Sequence, residues 1–420
     1  MEKFVIYGGK PLEGIIEVGG AKNAATPILA ATLLTNETCR ISNLPLVEDV
    51  FRMIEILKGM GAEIKWLGKR IVEIRCKNID PSKIDFSKVK KMRSSVLLIG
   101  PLLARFGSVK ICRPGGDIIG ARPIDVHIHA FKDLGAEVSC QGDWFYFKAK
   151  KLKPNKVILR EFSVTVTENI LMASSLIPGK SEISIAACEP HVLDLIKFLK
   201  KMGARIKAPS PHSFTVEGSE KLKGVSHTVI YDPVEAGNYI IAAAVTRGKV
   251  LVKNVNPLHL ELVLAKLKDF GLEMEIRKNE ILVNPLKKRL RMDKIQTLIY
   301  PGIPTDLQSA FGVLATQARG TTLIHDPLYE NRLKYLEELN KMGAEIIIAD
   351  PHRAIINGPS VLHGREINSY DIRTGASLII TGLVARGKTV INDIYQIDRG
   401  YEGIEEKLQK LGADIKRVKS

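Results

Sequence analysis

A chain of 420 residues with 45% apolar and 26% charged side chains has the composition of a folded globular protein and the length for two domains of about 200 residues each. Its net charge of +16 calls for anionic partners, but the basic residues are scattered in short runs such as Lys287-Lys288-Arg289, with no basic tail or aromatic-studded patch, so a small phosphorylated ligand is favoured over nucleic acid. No apolar run approaches the ~18 residues of a membrane span, and the N-terminus lacks the apolar core of a signal peptide. The five cysteines form no C-x-x-C. A cytoplasmic protein without membrane contact, disulfide framework or zinc site is expected.

In chain order, the first predicted helix starts at Lys22-Asn23, just after Gly19-Gly20-Ala21, and stays apolar to Asn36. Leu57 to Ile64 (LKGMGAEI) follows, and that phrase returns at Phe131, Leu199, Leu267, Leu339 and Leu408. Its glycines, Gly61, Gly135, Gly203, Gly271, Gly343 and Gly412, are spaced by 74, 68, 68, 72 and 69 residues, which makes six copies of one unit. In each, an amphipathic helix ends at a glycine suited to a left-handed C-cap and an alternating, strand-like segment follows. About midway between these phrases lie almost wholly apolar stretches: Ser95 to Gly107, Asn169 to Gly179, Asn238 to Gly248, Gln308 to Gly320 and Ala376 to Gly387. At helix length, such stretches predict buried helices. The unit therefore reads as buried helix, strand, exposed helix and hairpin, an α/β fold with three buried helices packed in each of two domains.

Several motifs carry candidate chemistry. Arg113 to Val126 combines Gly115, Gly116 and Gly120 with two arginines and two carboxylates, and predicts a mobile binding loop. Lys22 and Asn23, at a helix entrance, can present a cation and an amide to an anion. Pro304-Thr305-Asp306 begins the fifth buried helix, where Thr305 or Asp306 could serve as an N-cap. Gly382 to Thr389 matches G-x-x-x-x-G-K-T, but a helix precedes it and a strand follows, the reverse of a phosphate-binding loop. His127 and His129 show no metal-ligand spacing and are expected in ordinary surface or capping roles.

Taken together, Ala21-Lys22-Asn23-Ala24-Ala25, Met92-Arg93-Ser94-Ser95, Pro114-Gly115-Gly116, Ile119-Gly120-Ala121-Arg122-Pro123, Pro304-Thr305-Asp306, Glu330-Asn331-Arg332 and Ile397-Asp398-Arg399-Gly400-Tyr401 resemble the UDP-N-acetylglucosamine enolpyruvyl transferases over essentially the whole chain. The resemblance implies a two-domain inside-out α/β barrel. One domain would span 22–229 with the catalytic loop 113–126, the other 1–21 plus 230–420, with the active site in the cleft between them. It implies transfer of the enolpyruvyl group of phosphoenolpyruvate to the 3'-hydroxyl of UDP-N-acetylglucosamine with release of phosphate, the first committed step of peptidoglycan synthesis, without metal or cofactor. By the same resemblance Lys22, Arg122 and Arg399 would hold phosphoenolpyruvate, and Asp306 would take the hydroxyl proton. Asn23, Arg93, Arg122, Pro123, Ile124, Asp125, Val126, Ser163, Val164, Asp306 and Leu328 would line the nucleotide-sugar pocket, and Arg332, Asp371 and Arg373 would support the cleft.

The chain departs from the family twice. Asp117 stands where most members carry the loop Cys, and Thr165-Val166 replaces a Gly-Ala pair beside the nucleotide. Asp117 would then be the general acid, together with Lys22 and Arg399 in the catalytic set. A carboxylate attacks an epoxide far less readily than a thiolate, so fosfomycin should leave no covalent adduct on Asp117. The alternatives are a 5-enolpyruvylshikimate-3-phosphate synthase-like transferase and a non-catalytic nucleotide-sugar-binding paralogue.

Overall fold

The computed structural model describes residues 2–117 and 119–419. The chain divides into two compact units. One comprises Met1–Gly19, Asp117–Ala121 and Tyr231–Ser420, and the other Gly20–Gly116 and Arg122–Ile230. They are called here the outer-segment unit and the inner-segment unit, after their places in the sequence. Each has its own apolar core, built around Ile28, Leu102 and Ile170 in the inner-segment unit and around Ile241, Phe311 and Ile379 in the outer-segment unit.

The core of the outer-segment unit forms because three helices, Pro233–Val245, Thr305–Gln317 and Ile372–Val384, are apolar on nearly every side. A helix of that kind must be surrounded by protein. Thr305–Gln317 packs against both of the others. In the inner-segment unit, Val164–Ser175 and Ile99–Phe106 pack together, the latter entered through a 3-10 turn at Arg93–Leu98. Lys22–Ala31 is the third apolar helix of that unit.

Around each set of helices lie three sheets among the described residues. The sheet of Gly320–His325 shows the pattern. It pairs antiparallel with Arg353–Gly358, from Gly320 opposite Gly358 to His325 opposite Arg353, and parallel with Lys294–Gln296. The strands before Val164–Ser175, Thr305–Gln317 and Ile372–Val384 thus lie parallel to the strands after those helices, a crossover the predicted unit lacks. These leading strands are three residues long at Lys156–Ile158, Lys294–Gln296 and Glu366–Asn368, as is Ser226–Thr228, which instead lies parallel to Thr38–Ser42. Three residues are too few to show an alternating pattern.

A second difference concerns the sixth unit. Its hairpin is completed by the N-terminal strand Glu2–Tyr7, which pairs with Asp414–Lys419 and buries Phe4 and Ile6. Arg417 secures this join by pairing with Glu2, Asp398 and Glu405. The six repeat glycines all have positive φ, from +88° at Gly135 to +117° at Gly203. That is the left-handed region where a side chain is strained, so the recurring phrase is a helix stop. No helix among the described residues is long and apolar enough to cross a membrane.

Candidate active site

In the outer-segment unit the chemistry collects at the N-terminal ends of the apolar helices. Asp306 lies in the first turn of Thr305–Gln317, whose start carries no side-chain cap, so neither Thr305 nor Asp306 fills the capping role open to them in the sequence. Asp306 is held by two arginines instead: Arg332 Nη2 donates to Oδ1 at 2.6 Å and Arg373 Nε to Oδ2 at 3.0 Å. Thr305 Oγ1 donates to Asp326 Oδ2 at 2.5 Å, and the other oxygen of Asp326 accepts from Leu328 N at 3.0 Å. Asp371 is the true cap of Ile372–Val384, accepting from the backbone of Arg373 and Thr374, and it also pairs with Arg332 at 3.4 Å.

The two arginines are almost fully buried, with side chains only 4% exposed. Burial by itself would lower the Arg332 guanidinium; Asp306, Asp371, Asp326 and Asp117 outweigh it and raise it above its ordinary value. Arg373 is likewise raised, against burial, by Tyr401, Asp306 and Asp232. Both stay cationic at any working pH. The Arg373 guanidinium also lies over the Tyr401 ring, 5.4 Å from its centroid. Arg399 pairs through Nη1 with Asp117 Oδ1 and also donates to Gln396 Oε1 at 2.9 Å. Asp117 therefore sits with Arg399 and within electrostatic range of Arg332. The segment around it is fixed by Ile119 O accepting from Asn331 N and by Gly120 against Glu330.

In the inner-segment unit, Lys22 begins the helix Lys22–Ala31 beside Asn23 and pairs with Asp49 at 3.2 Å. Asn23 makes no capping bond there. Arg93 Nη2 donates to the carbonyl of Pro123 at 3.1 Å, and Gly116 lies against both Arg93 and Arg122. These four residues form one basic corner. Ile124 and Val126 are core residues, while Asp125 is exposed in the first turn of Asp125–Asp133. Ser163 and Val164 start the helix Val164–Ser175, where Thr167 Oγ1 donates to Ser163 O at 2.8 Å. Thr165 is half-buried and Val166 fully buried. Arg113 pairs with Asp143 at the surface.

Cys112 lies buried in the strand Ser108–Cys112, where desolvation pushes its thiol above the ordinary range, so it is no stand-in for a reactive loop cysteine. His127 departs from the surface or capping role expected of it. It is 1% exposed, neither ring nitrogen has a partner, and burial, then the charge of Arg93, lowers it to about 3. It is a neutral core group. Its place follows from helix phase, since it shares an inward face with Val126 and Ala130. Sequence reading also missed Asp49 and Asp326. Each is a lone acidic residue in an ordinary context, and neither carries a local signal for the partner it meets in the fold.

The chain matches the model of the EPSP synthase (3-phosphoshikimate 1-carboxyvinyltransferase) family over residues 6–408. It is 42% identical to a UDP-N-acetylglucosamine 1-carboxyvinyltransferase of Coxiella burnetii, covering all of this chain and 97% of that protein. A relative of the same name from Halothermothrix orenii is 44% identical, with both chains covered in full. Among solved structures, the enolpyruvyl transferase NikO from Streptomyces tendae superposes with a TM-score of 0.90 at 22% identity, covering 100% of this chain and 99% of that one. EPSP synthase from Acinetobacter baumannii superposes at 0.75 with 19% identity and full coverage of both. The two structures share the fold, and the full-length relatives place the sequence: the chain belongs to the enolpyruvyl transferase family, among the UDP-N-acetylglucosamine 1-carboxyvinyltransferases.

Proposed function

We propose that this enzyme transfers the enolpyruvyl group of phosphoenolpyruvate to the 3'-hydroxyl of UDP-N-acetylglucosamine and releases phosphate, the entry to peptidoglycan synthesis. The observation that best supports this is the cluster of Asp306 with Arg332, Arg373, Arg399 and Asp117, in a chain alike over its full length to transferases of that name.

In the addition step, the methylene carbon of phosphoenolpyruvate gains a proton and the neighbouring carbon takes on oxocarbenium character. The sugar 3'-oxygen attacks that carbon while its proton passes to Asp306. In the elimination step, a methyl proton is lost, the phosphate–carbon bond breaks and the double bond is restored. Asp306 Oδ1 accepts from Arg332 and Oδ2 from Arg373. The two guanidiniums fix the direction of approach.

Arg399, Arg122 and Lys22 supply the positive charge that binds phosphate and carboxylate. Arg399 is engaged by Asp117 in this structure. Phosphoenolpyruvate arriving at Arg399 would compete for the guanidinium, and the released Asp117 carboxylate would take up a proton from solvent before giving it to the methylene carbon as general acid. Each unit thus carries its own share of the work: proton transfer and carboxylate binding in the outer-segment unit, with the cation Lys22 and the basic corner Arg93, Arg122 and Pro123 in the inner-segment unit. Asn23, Arg93, Asp125, Ser163, Val164 and Leu328 are assigned to the nucleotide sugar.

The test is phosphate release from phosphoenolpyruvate with UDP-N-acetylglucosamine and, in a parallel arm, with shikimate 3-phosphate. Release with the nucleotide sugar alone is expected. Release only with shikimate 3-phosphate would move the enzyme to the other branch of the family. Release with neither would mean a binding protein without turnover.

A further inference from the structure

The three apolar helices of the outer-segment unit run from the Asp306 cluster to a second feature at their opposite ends. There a cavity of about 220 Å³ opens beside Val245, Leu314 and Val384. Three arginines line it: Arg247 just past the end of Pro233–Val245, Arg386 just past Ile372–Val384, and Arg289 on the segment that precedes Lys294–Gln296. Arg247 and Arg386 occupy equivalent places in two repeats, in Thr246-Arg247-Gly248-Lys249 and Ala385-Arg386-Gly387-Lys388, the latter within the stretch that mimics a phosphate-binding loop.

Arginines at helix C-termini commonly serve only the last carbonyls. The equivalent end of the inner-segment unit shows that use. Arg105 donates to the carbonyls of Leu33 at 2.6 Å and Cys76 at 2.7 Å. Nothing similar occurs at the cavity. Among the described residues, the guanidiniums of Arg247, Arg289 and Arg386 make no hydrogen bond or ion pair with protein, and all three residues are exposed. Arg247 also holds φ at +55°, an unfavourable value for a side chain of its size. Three cations without counter-charge converge on a space whose floor includes Leu290 and Leu314.

We propose that this cavity is a second ligand site, for a small phosphate monoester with a short apolar group. Three forked donors lining one cavity suit the three free oxygens of a phosphate monoester better than the two of a carboxylate. The floor takes the apolar part. The volume, that of about seven liquid waters, restricts it to a few carbons.

The probe is n-propyl phosphate, titrated calorimetrically into the full-length protein, with inorganic phosphate and n-propanol as comparisons. Propyl phosphate should bind about tenfold more tightly than inorganic phosphate, because its methylenes leave water for the leucine floor. The double variant R247A/R386A and the charge reversal Arg386→Glu should each weaken that binding at least about tenfold, as expected for loss of charge-assisted contacts, while phosphate release from the substrates is unchanged. Arg399→Ala should leave propyl phosphate binding intact. No preference for propyl over inorganic phosphate, binding that survives R247A/R386A, or binding abolished by Arg399→Ala would each overturn the proposal.

Discussion

The ion pair between Asp117 and Arg399 determines what a change at Asp117 should do. Asn keeps the shape and can still accept from the guanidinium, but it has no acidic proton to give. Asp117→Asn should therefore reduce phosphate release by at least about a hundredfold, the usual scale for a lost general acid. Binding of UDP-N-acetylglucosamine, measured by calorimetry, should barely change. Full turnover in the variant would remove Asp117 from the proton-transfer role. A different carboxyl governs stability. Glu168 lies wholly buried in Val164–Ser175 with Oε1 unpartnered, and desolvation, then the charge of Glu189, pushes it well above its ordinary value. The folded state thus keeps a proton that the unfolded chain gives up near pH ~4.3, so this group costs stability increasingly as pH rises above that point. Glu168→Gln should raise the melting temperature at neutral pH and flatten its decline as pH rises above the ordinary glutamate range. A variant with the same pH slope as the parent would show that Glu168 is not held protonated.

At the scale of elements, the helix-stop glycines separate two costs that a sequence motif merges. Gly412 and Gly61 both have positive φ, but a methyl group at Gly412 meets nothing within 4 Å, whereas at Gly61 it would come within 2.4 Å of the Asn78 carbonyl. Gly412→Ala should cost about 1 kcal/mol, the backbone strain alone. Gly61→Ala should cost roughly 1–3 kcal/mol more, because a packed backbone must also move. Denaturant melts of the two variants check this, and equal losses would refute it. These stops, the apolar helices and the sixfold period were legible because each repeats and each has a strong local cause. The short leading strands were not, since Lys156–Ile158 and its counterparts are stabilised by a parallel partner distant in sequence. The same holds for Glu2–Tyr7, whose two partners are more than 380 and more than 400 residues away.

For the whole molecule, the candidate site was legible to the extent that its residues stand in distinctive phrases. Lys22-Asn23, Asp306 and Arg399 stand in such phrases, and the fold puts Asp306 and Arg399 in one unit with Asp117 and Lys22 in the other. What the sequence withheld is who holds whom: Asp49 on Lys22, Asp117 on Arg399, and Arg332 bridging Asp306 and Asp371. Such pairings depend on side chains brought together by the core, and no spacing encodes them. The net charge of +16 is a property of the whole chain, and its effect should be equally collective. Both proposed substrates carry several negative charges, so the protein's field should draw them in at low ionic strength and lose that reach as the Debye length shrinks to ~10 Å at 0.1 M salt. Raising monovalent salt from about 20 mM to about 200 mM should lower kcat/KM for phosphoenolpyruvate several-fold. The buried pairs around Asp306 are shielded from added ions, so kcat should hold nearly constant. Steady-state kinetics across that range would distinguish the two. A fall in kcat with constant kcat/KM would mean that salt acts on the assembled site and not on the approach of the substrates.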